Sequence, residues 1–231
     1  MPVGLSELGL AMGLFVVSHL ALSSAGLRRA LVRRFGEWPF LGLYSLLSLG
    51  LFVWVLRAYG AAPDVELWVA PAAFRFFALG VMAPAFVLVV AGYTQSNPTA
   101  VILDRFAAID GAATGITRIT RHPVMWGAGL WAVAHALAAG NGRALILFGG
   151  IGILAFAGML NIDRRRRRGG GEAWRRLESE TSNIPFLAII QGRNEIHWSE
   201  IGWARLLAGV FLYAAVLFWH QVIFGLAPLA G

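Results

Sequence analysis

Four histidines fall where an imidazole is costly to keep and can do chemistry. His19, His135 and His220 lie inside long apolar stretches and His122 opens one, whereas His197 sits in a polar segment and reads as solvated. Polar groups within a bilayer are expensive, and so are functional candidates by default. Neutral imidazole is the usual axial ligand of a non-covalent haem held between helices, and two from separate helices suffice. Zinc is less attractive, because no Cys or carboxylate accompanies them. The plainer alternative is histidines that only hydrogen-bond to neighbouring helices. The chain has no cysteine, which removes disulfides, thiolate-ligated or c-type haem, iron–sulfur clusters and Cys nucleophiles together.

The elements that must position these residues are membrane spans. Of 231 residues 58% are hydrophobic and 13% charged, and six stretches can cross a core that needs about 20 apolar residues, the shorter ones helped by interfacial Trp or His. They are Leu8–Ser24, Phe40–Leu56, Phe74–Tyr93, Trp126–Ala139, Leu145–Ile162 and Ala204–Phe224. The expected fold is all-α: a single polytopic bundle of about six transmembrane helices over residues 1–231. Asp and Glu are missing from the span interiors, with Asp163 at the edge of one, which weakens a proton- or cation-coupled transporter.

Arginine sets the orientation. Alternate gaps carry Arg28, Arg29, Arg33 and Arg34, then Arg105, Arg118 and Arg121, then Arg164 to Arg168, Arg175, Arg176, Arg193 and Arg205. The opposite side has Arg57, Arg75 and Arg143. The positive-inside bias predicts both termini in the periplasm of a bacterial inner membrane. All 19 basic residues are Arg, which suits a GC-rich bacterial genome. A net charge of +7 is explained by anionic headgroups beside the spans, without nucleic acid. The first span carries its positive cluster after it, so it reads as a retained helix rather than a secretion signal.

Between the spans, Asn141-Gly142 predicts a tight helical hairpin. Val101–Phe106 predicts a surface-lying segment, Gly169 to Gly171 a flexible joint, and Ile184–Ile190 an interfacial or re-entrant patch. Depth then sorts the histidines. At 1.5 Å of rise per residue His19 lies roughly 8 Å from the cytoplasmic boundary. His135 and His220 lie towards the outer side, and His122 near the inner surface. The level pairs are His19 with His122 and His135 with His220. Arg121 and His122, ahead of Pro123, could hold an anionic headgroup or a cofactor phosphate, or merely start a helix with a snorkelling Arg.

The run from Ile116 to Arg168, ITRITRHPVMWGAGLWAVAHALAAGNGRALILFGGIGILAFAGMLNIDRRRRR, resembles the NnrU family of bacterial membrane proteins. SHLALSS, LYSLLSLG, TSNIPFLAIIQGR and HQVIFGLAPL agree with it too, so nearly the whole chain is covered. That family is named for a link to nitrite and nitric oxide reduction in denitrifiers. It is similar to the 15-cis-zeta-carotene isomerases, integral membrane b-haem proteins with histidine ligands. The resemblance implies haem b on His19 and His135, the pair that depth favours least, with His122 and Arg121 as supporting or alternative groups and His220 as an alternative ligand. It implies a hydrophobic polyene substrate, bound among Trp54, Trp126, Trp131 and Phe156, or a redox partner. The Arg-His-Pro block is also similar to that of lipid methyltransferases using S-adenosylmethionine, although RRLESETSNIPF lacks their adjacent acidic pair. Three readings follow: a haem-dependent isomerase or redox factor, a lipid-directed methyltransferase relative, and a non-catalytic factor for reductase assembly. The arginine pattern makes one prediction directly. A C-terminal alkaline phosphatase fusion will be active and a C-terminal green fluorescent fusion dark; the reverse would overturn the orientation.

Overall fold

The computed structural model describes residues 3–99 and 112–228. The segment Val101–Phe106, with Arg105, lies outside the described residues. Five helices are long and apolar enough to cross a membrane: α1 (Val3–Ser23), α3 (Glu37–Ala61), α4 (Ala72–Thr94), α6 (Gly142–Gly169) and α10 (Trp203–Phe224). A sixth, α5 (Pro123–Ala139), has 17 residues, about 25 Å at 1.5 Å per residue and short of a core of about 30 Å. It is continued at its base by a buried turn, Gly115–Arg118 and the residues up to His122.

The remaining helices are short: α2 (Ala25–Phe35), α7 (Gly171–Glu180), α8 (Leu187–Ile190) and α9 (Trp198–Ile201). The long helices neighbour one another in the order α3, α1, α6, α5, α4, α10. The α3–α4 connection must therefore travel across the bundle. It does so over the α5–α6 turn, where Leu67 N–H and Trp68 N–H both donate to Gly140 O (2.8 and 3.1 Å) and Trp68 Nε1 donates to Leu137 O (3.1 Å). That turn is the expected hairpin: Gly140 is left-handed (φ 64°), and Asn141 caps α6 by accepting from Ala144 N–H at 2.9 Å.

Lipid-facing helices gain little by burying apolar side chains against each other, so their contacts rest on close approach of small residues. The α4–α5 seam shows this with Ala85, Gly92 and Gly127, all buried. A Cβ on Gly127 would lie 2.8 Å from Ala85 O. On α10, a Cβ at Gly209 would lie 2.7 Å from Val87 Cα. The large apolar side chains point outward instead: Leu43, Phe76, Phe211, Phe218 and Val222 are exposed, as a bilayer demands.

The three glycines make a corner between α6 and α7. Gly171 is left-handed (φ 61°), and Trp174 and Leu177 dock α7 in a small core with Ala113. The Ile184–Ile190 stretch does not enter the bundle. Its single turn is bound from below α5, with Phe186 N–H donating to Ile119 O (2.8 Å), while Ile184 and Ile190 stay exposed.

The seam supplies a stability prediction. Gly127→Val will overpack α4 against α5 and cost about 1–3 kcal/mol, lowering the detergent melting temperature by roughly 2–10 °C. Gly80→Ala, where an added Cβ meets nothing within 4 Å, will leave it unchanged.

Candidate functional site

α2 lies against α6, whose last turns carry Arg164 to Arg168. Where α6 meets the base of α5 sits a buried ionic cluster. Asp163 of α6 accepts from His122 Nε2 through Oδ1 (2.7 Å) and from Arg121 Nε through Oδ2 (3.1 Å). Arg121 Nη1 also donates to the carbonyl of Thr181 (3.1 Å), and its backbone N–H to Ser182 O (3.0 Å). Glu178 stands 3.8 Å from Arg121 Nη2. Thr120 Oγ and Trp126 Nε1 both donate to Asn183 O (2.7 Å each). The base of α5 is thus clamped between α6 and the 178–183 segment.

His122 is fully buried and Arg121 nearly so. Burial pushes the His122 imidazole below its usual range, against the pull of Asp163. Neutral His122 therefore donates its Nε2–H to the Asp163 carboxylate, and its buried Nδ1 has no partner. Arg121 is committed to Asp163 through Nε and to Thr181 through Nη1, and His122 to Asp163 through Nε2. Sequence reasoning missed the role of Asp163: it lies far along the chain from Arg121, and its only signal was a carboxylate opening an arginine run.

A second tie also went unread. Arg118 grips Glu200 with Nε (2.7 Å) and Nη2 (2.9 Å), and Nη1 reaches Asn194 Oδ1 (2.7 Å). This bidentate bond holds the Glu200 carboxyl down at about 2. His197 Nδ1 lies 3.0 Å from the same carboxylate, in an exposed position.

The intramembrane histidines divide into two places. His19 lies among Phe15 and Tyr44, ring centroids 5.6 and 5.1 Å away, with its Nδ1 buried and unpartnered. Next to it Leu20 O accepts from Asn161 Nδ2 of α6 (3.2 Å). His135 instead meets Phe148 of α6 at 5.1 Å. From Phe148 to Asn161 is roughly 20 Å of helix at 1.5 Å per residue, so His19 and His135 are not brought together. His135 and His220 are: their ring centroids are 6.5 Å apart with planes 25° from parallel. His135 Nδ1 lies 2.8 Å from Trp131 O and His220 Nδ1 2.9 Å from Leu226 O. A carbonyl only accepts, so both Nδ1 atoms carry the proton and both Nε2 atoms keep the lone pair that a metal takes.

Beside His135 an apolar groove of about 540 Å³ runs between α5 and α6, lined by Ala132, Ala136, Phe148, Gly152, Phe156 and Leu160 among others. Trp131 stands edge-on to Phe148 (4.9 Å) and Trp126 edge-on to Phe156 (5.5 Å). Trp54 is elsewhere, bonded to Glu7 near α1.

A helical membrane bundle with an imidazole pair at one end and a locked Arg–His–Asp cluster near the other is the class of protein defined here. The family model described as NnrU protein matches residues 7–228, and the chain belongs to that family. It is 45% identical over 83 residues to the chloroplastic 15-cis-zeta-carotene isomerase of Zea mays, covering 36% of this chain and 23% of the relative. It is 37% identical over 117 residues to that of Arabidopsis thaliana, covering 48% of this chain and 31% of the relative. The matched parts span less than a third of these relatives. No solved structure matches.

Two substitutions test the polar ties. Asp163→Ala will strand Arg121 in a buried place and cost about 3–5 kcal/mol, read as loss of folded protein in detergent, with Asp163→Asn intermediate. For Glu200 the folded carboxyl titrates below its unfolded value, so its stabilisation is present above about pH 4.5 and is lost as pH falls towards about 2. Glu200→Gln, at a partly exposed pair, will cost about 1 kcal/mol at pH 7. That difference from wild type will vanish near pH 2 in parallel melts.

Proposed function

We propose that the protein is a membrane cis–trans isomerase of an extended polyene, with a b-type haem held beside the α5–α6 groove and His135 as one ligand. The observation that carries this reading is the groove itself: apolar along its lining, with Phe148 of that lining in ring contact with His135 (5.1 Å), whose Nδ1 is bonded to Trp131 O. The names of the plant relatives supply the substrate class, a carotene with a cis bond at its centre.

Phe148 to Leu160 covers roughly 18 Å of α6, which suits a rod-like hydrocarbon better than a compact ligand. The walls carry no charged side chain, so the substrate remains in hydrocarbon throughout and water is excluded. Gly149 and Gly152 leave floor space that side chains would fill. Trp131 and Phe148 flank the His135 ring and fix its plane. The reaction gains and loses no atoms: two substituents of one double bond exchange sides, and the double bond must be weakened only in passing. Haem bound there supplies a redox-active iron beside the polyene. A redox role linked to denitrification would use the same haem without the groove, and the groove favours the isomerase.

The test is conversion of 15-cis-zeta-carotene in carotenoid-producing bacteria or proteoliposomes, followed by chromatography of the isomers. Wild type will convert it. Gly149→Leu, where an added Cβ meets no neighbour within 4 Å, will fill the groove and slow conversion roughly tenfold, the equivalent of about 1.4 kcal/mol, with the haem spectrum unchanged. Haem-loaded wild type that turns over no cis-polyene, yet exchanges electrons with a quinol or reductase, would replace this reading with the redox one.

A further inference from the structure

We infer that Phe156 sets how far a chain can pass between α5 and α6, and so which double bond of a polyene is held beside Phe148. The inference rests on the polyene reading above and names the residue that gives the site its choice of bond. It is carried by a change in how the groove is built. On α5 the lining comes from Ala132, Val133, Ala136 and Leu137, whereas on α6 it runs from Phe148 to Leu160. The two helices form an antiparallel hairpin, and Ala132 stands level with Gly152, whose added Cβ would lie 3.8 Å from the Ala132 Cβ. From that level to the Gly140 turn the groove has two helical walls. On the other side of it the lining is α6 alone.

Phe156 makes the change. Its ring reaches across the seam to Gly129 of α5, where an added Cβ would meet Cζ at 2.7 Å and Cε1 at 3.0 Å. Gly129 is buried, and its missing side chain is the notch that receives the ring. Trp126 stands edge-on to the same ring, with centroids 5.5 Å apart and planes at 77°. The Trp126 indole is itself tied down by the Nε1 bond to Asn183 O (2.7 Å). Edge-to-face packing against a fixed neighbour, with the notch behind, holds the Phe156 ring in one place. The ring also lines the groove, and the residue is 37% exposed. A rod lying between the two walls therefore meets an aromatic barrier after roughly 12 Å of α6, from Phe148 to Phe156. Beyond it the chain must turn outward along Ile153 and Leu160, both exposed on the lipid-facing side.

A conjugated chain is stiff, so a barrier at one point fixes the position of every double bond along it. The lining has no polar side chain that could set the register by hydrogen bonding, and the choice of bond falls to shape. An isomer whose cis bond lies one conjugated unit off centre has one arm longer and the other shorter. The long arm collides with Phe156, and the short arm leaves the barrier without contact. Apolar walls discriminate in this way by roughly tenfold to a few hundredfold, not more.

The experiment offers full-length protein in proteoliposomes two zeta-carotene isomers, one with its cis bond at the centre and one with it a conjugated unit away. Products are separated by chromatography, and folded protein is checked by detergent melts. Wild type will prefer the central isomer by roughly tenfold or more. Phe156→Ala will reduce that preference to about twofold, mainly by converting the displaced isomer faster. Phe156→Leu will fall between the two, and carries the same test should Phe156→Ala lose folded protein. Gly129→Ala closes the notch from behind and pushes the ring into the groove, so it will slow the central isomer roughly fivefold. Folded Phe156 variants that keep the wild-type preference overturn the inference while leaving the isomerase reading intact. Wild-type protein that converts neither isomer would instead overturn the polyene reading on which the inference rests.

Discussion

The Asp163 carboxylate is the group around which the basic end of this bundle is organised. It stands on α6, yet both its oxygens are taken by consecutive residues, Arg121 and His122, that precede α5. An isolated carboxylate at that depth would be severely penalised, and so would an isolated guanidinium. Together, and with the Thr181 carbonyl completing the fork on Arg121, they satisfy one another. The consequence is positional. α5 is too short to find its depth by hydrophobic length alone, so its lower end is fixed by ions and its upper end by the Gly140–Asn141 turn.

That fixing reaches the other end of the helix. His135 lies on α5, and its ring meets Phe148 because α5 and α6 are held in register at both ends. The groove exists for the same reason. Small residues along α5 face Gly149 and Gly152 on α6, so the two helices share a wall without filling the space between their outer faces. Sliding α5 by one turn would carry the imidazole about 5.4 Å along the bundle, past its partner.

Much of the fold was legible because membranes impose simple rules. Apolar length marked the spans, Asn141-Gly142 marked the hairpin, and arginine marked one end of the bundle, where Arg28, Arg121 and Arg164 to Arg168 cluster near α6. The site was legible as residue types and as level, since depth paired His135 with His220, whose rings lie 6.5 Å apart. Intramembrane histidine without membrane carboxylate pointed to a ligand set, but rise per residue gives depth and says nothing about which helices are neighbours. His19 and His135 both project from helices beside α6, at levels roughly 20 Å apart by its rise. His220 comes from α10, and reaches His135 because α5 and α10 both pack on α4. Asp163 and Glu200 were passed over for a similar reason: each pairs with an arginine distant in sequence, and spacing carries no trace of that.

The two ends of the bundle also treat their imidazoles differently, and the difference is chemical. His122 donates its Nε2–H to the Asp163 carboxylate within a closed ionic cluster that holds the chain. His135 donates its Nδ1–H to Trp131 O on its own helix, and His220 donates its Nδ1–H to Leu226 O just past the end of α10. In all three rings the protein bonds one nitrogen; at His122 the other, Nδ1, is buried without a partner, which costs free energy. The polypeptide meets the cost of both arrangements with the same helix: α5 carries a locked imidazole cluster before its first turn and an imidazole bonded to its own backbone near its last.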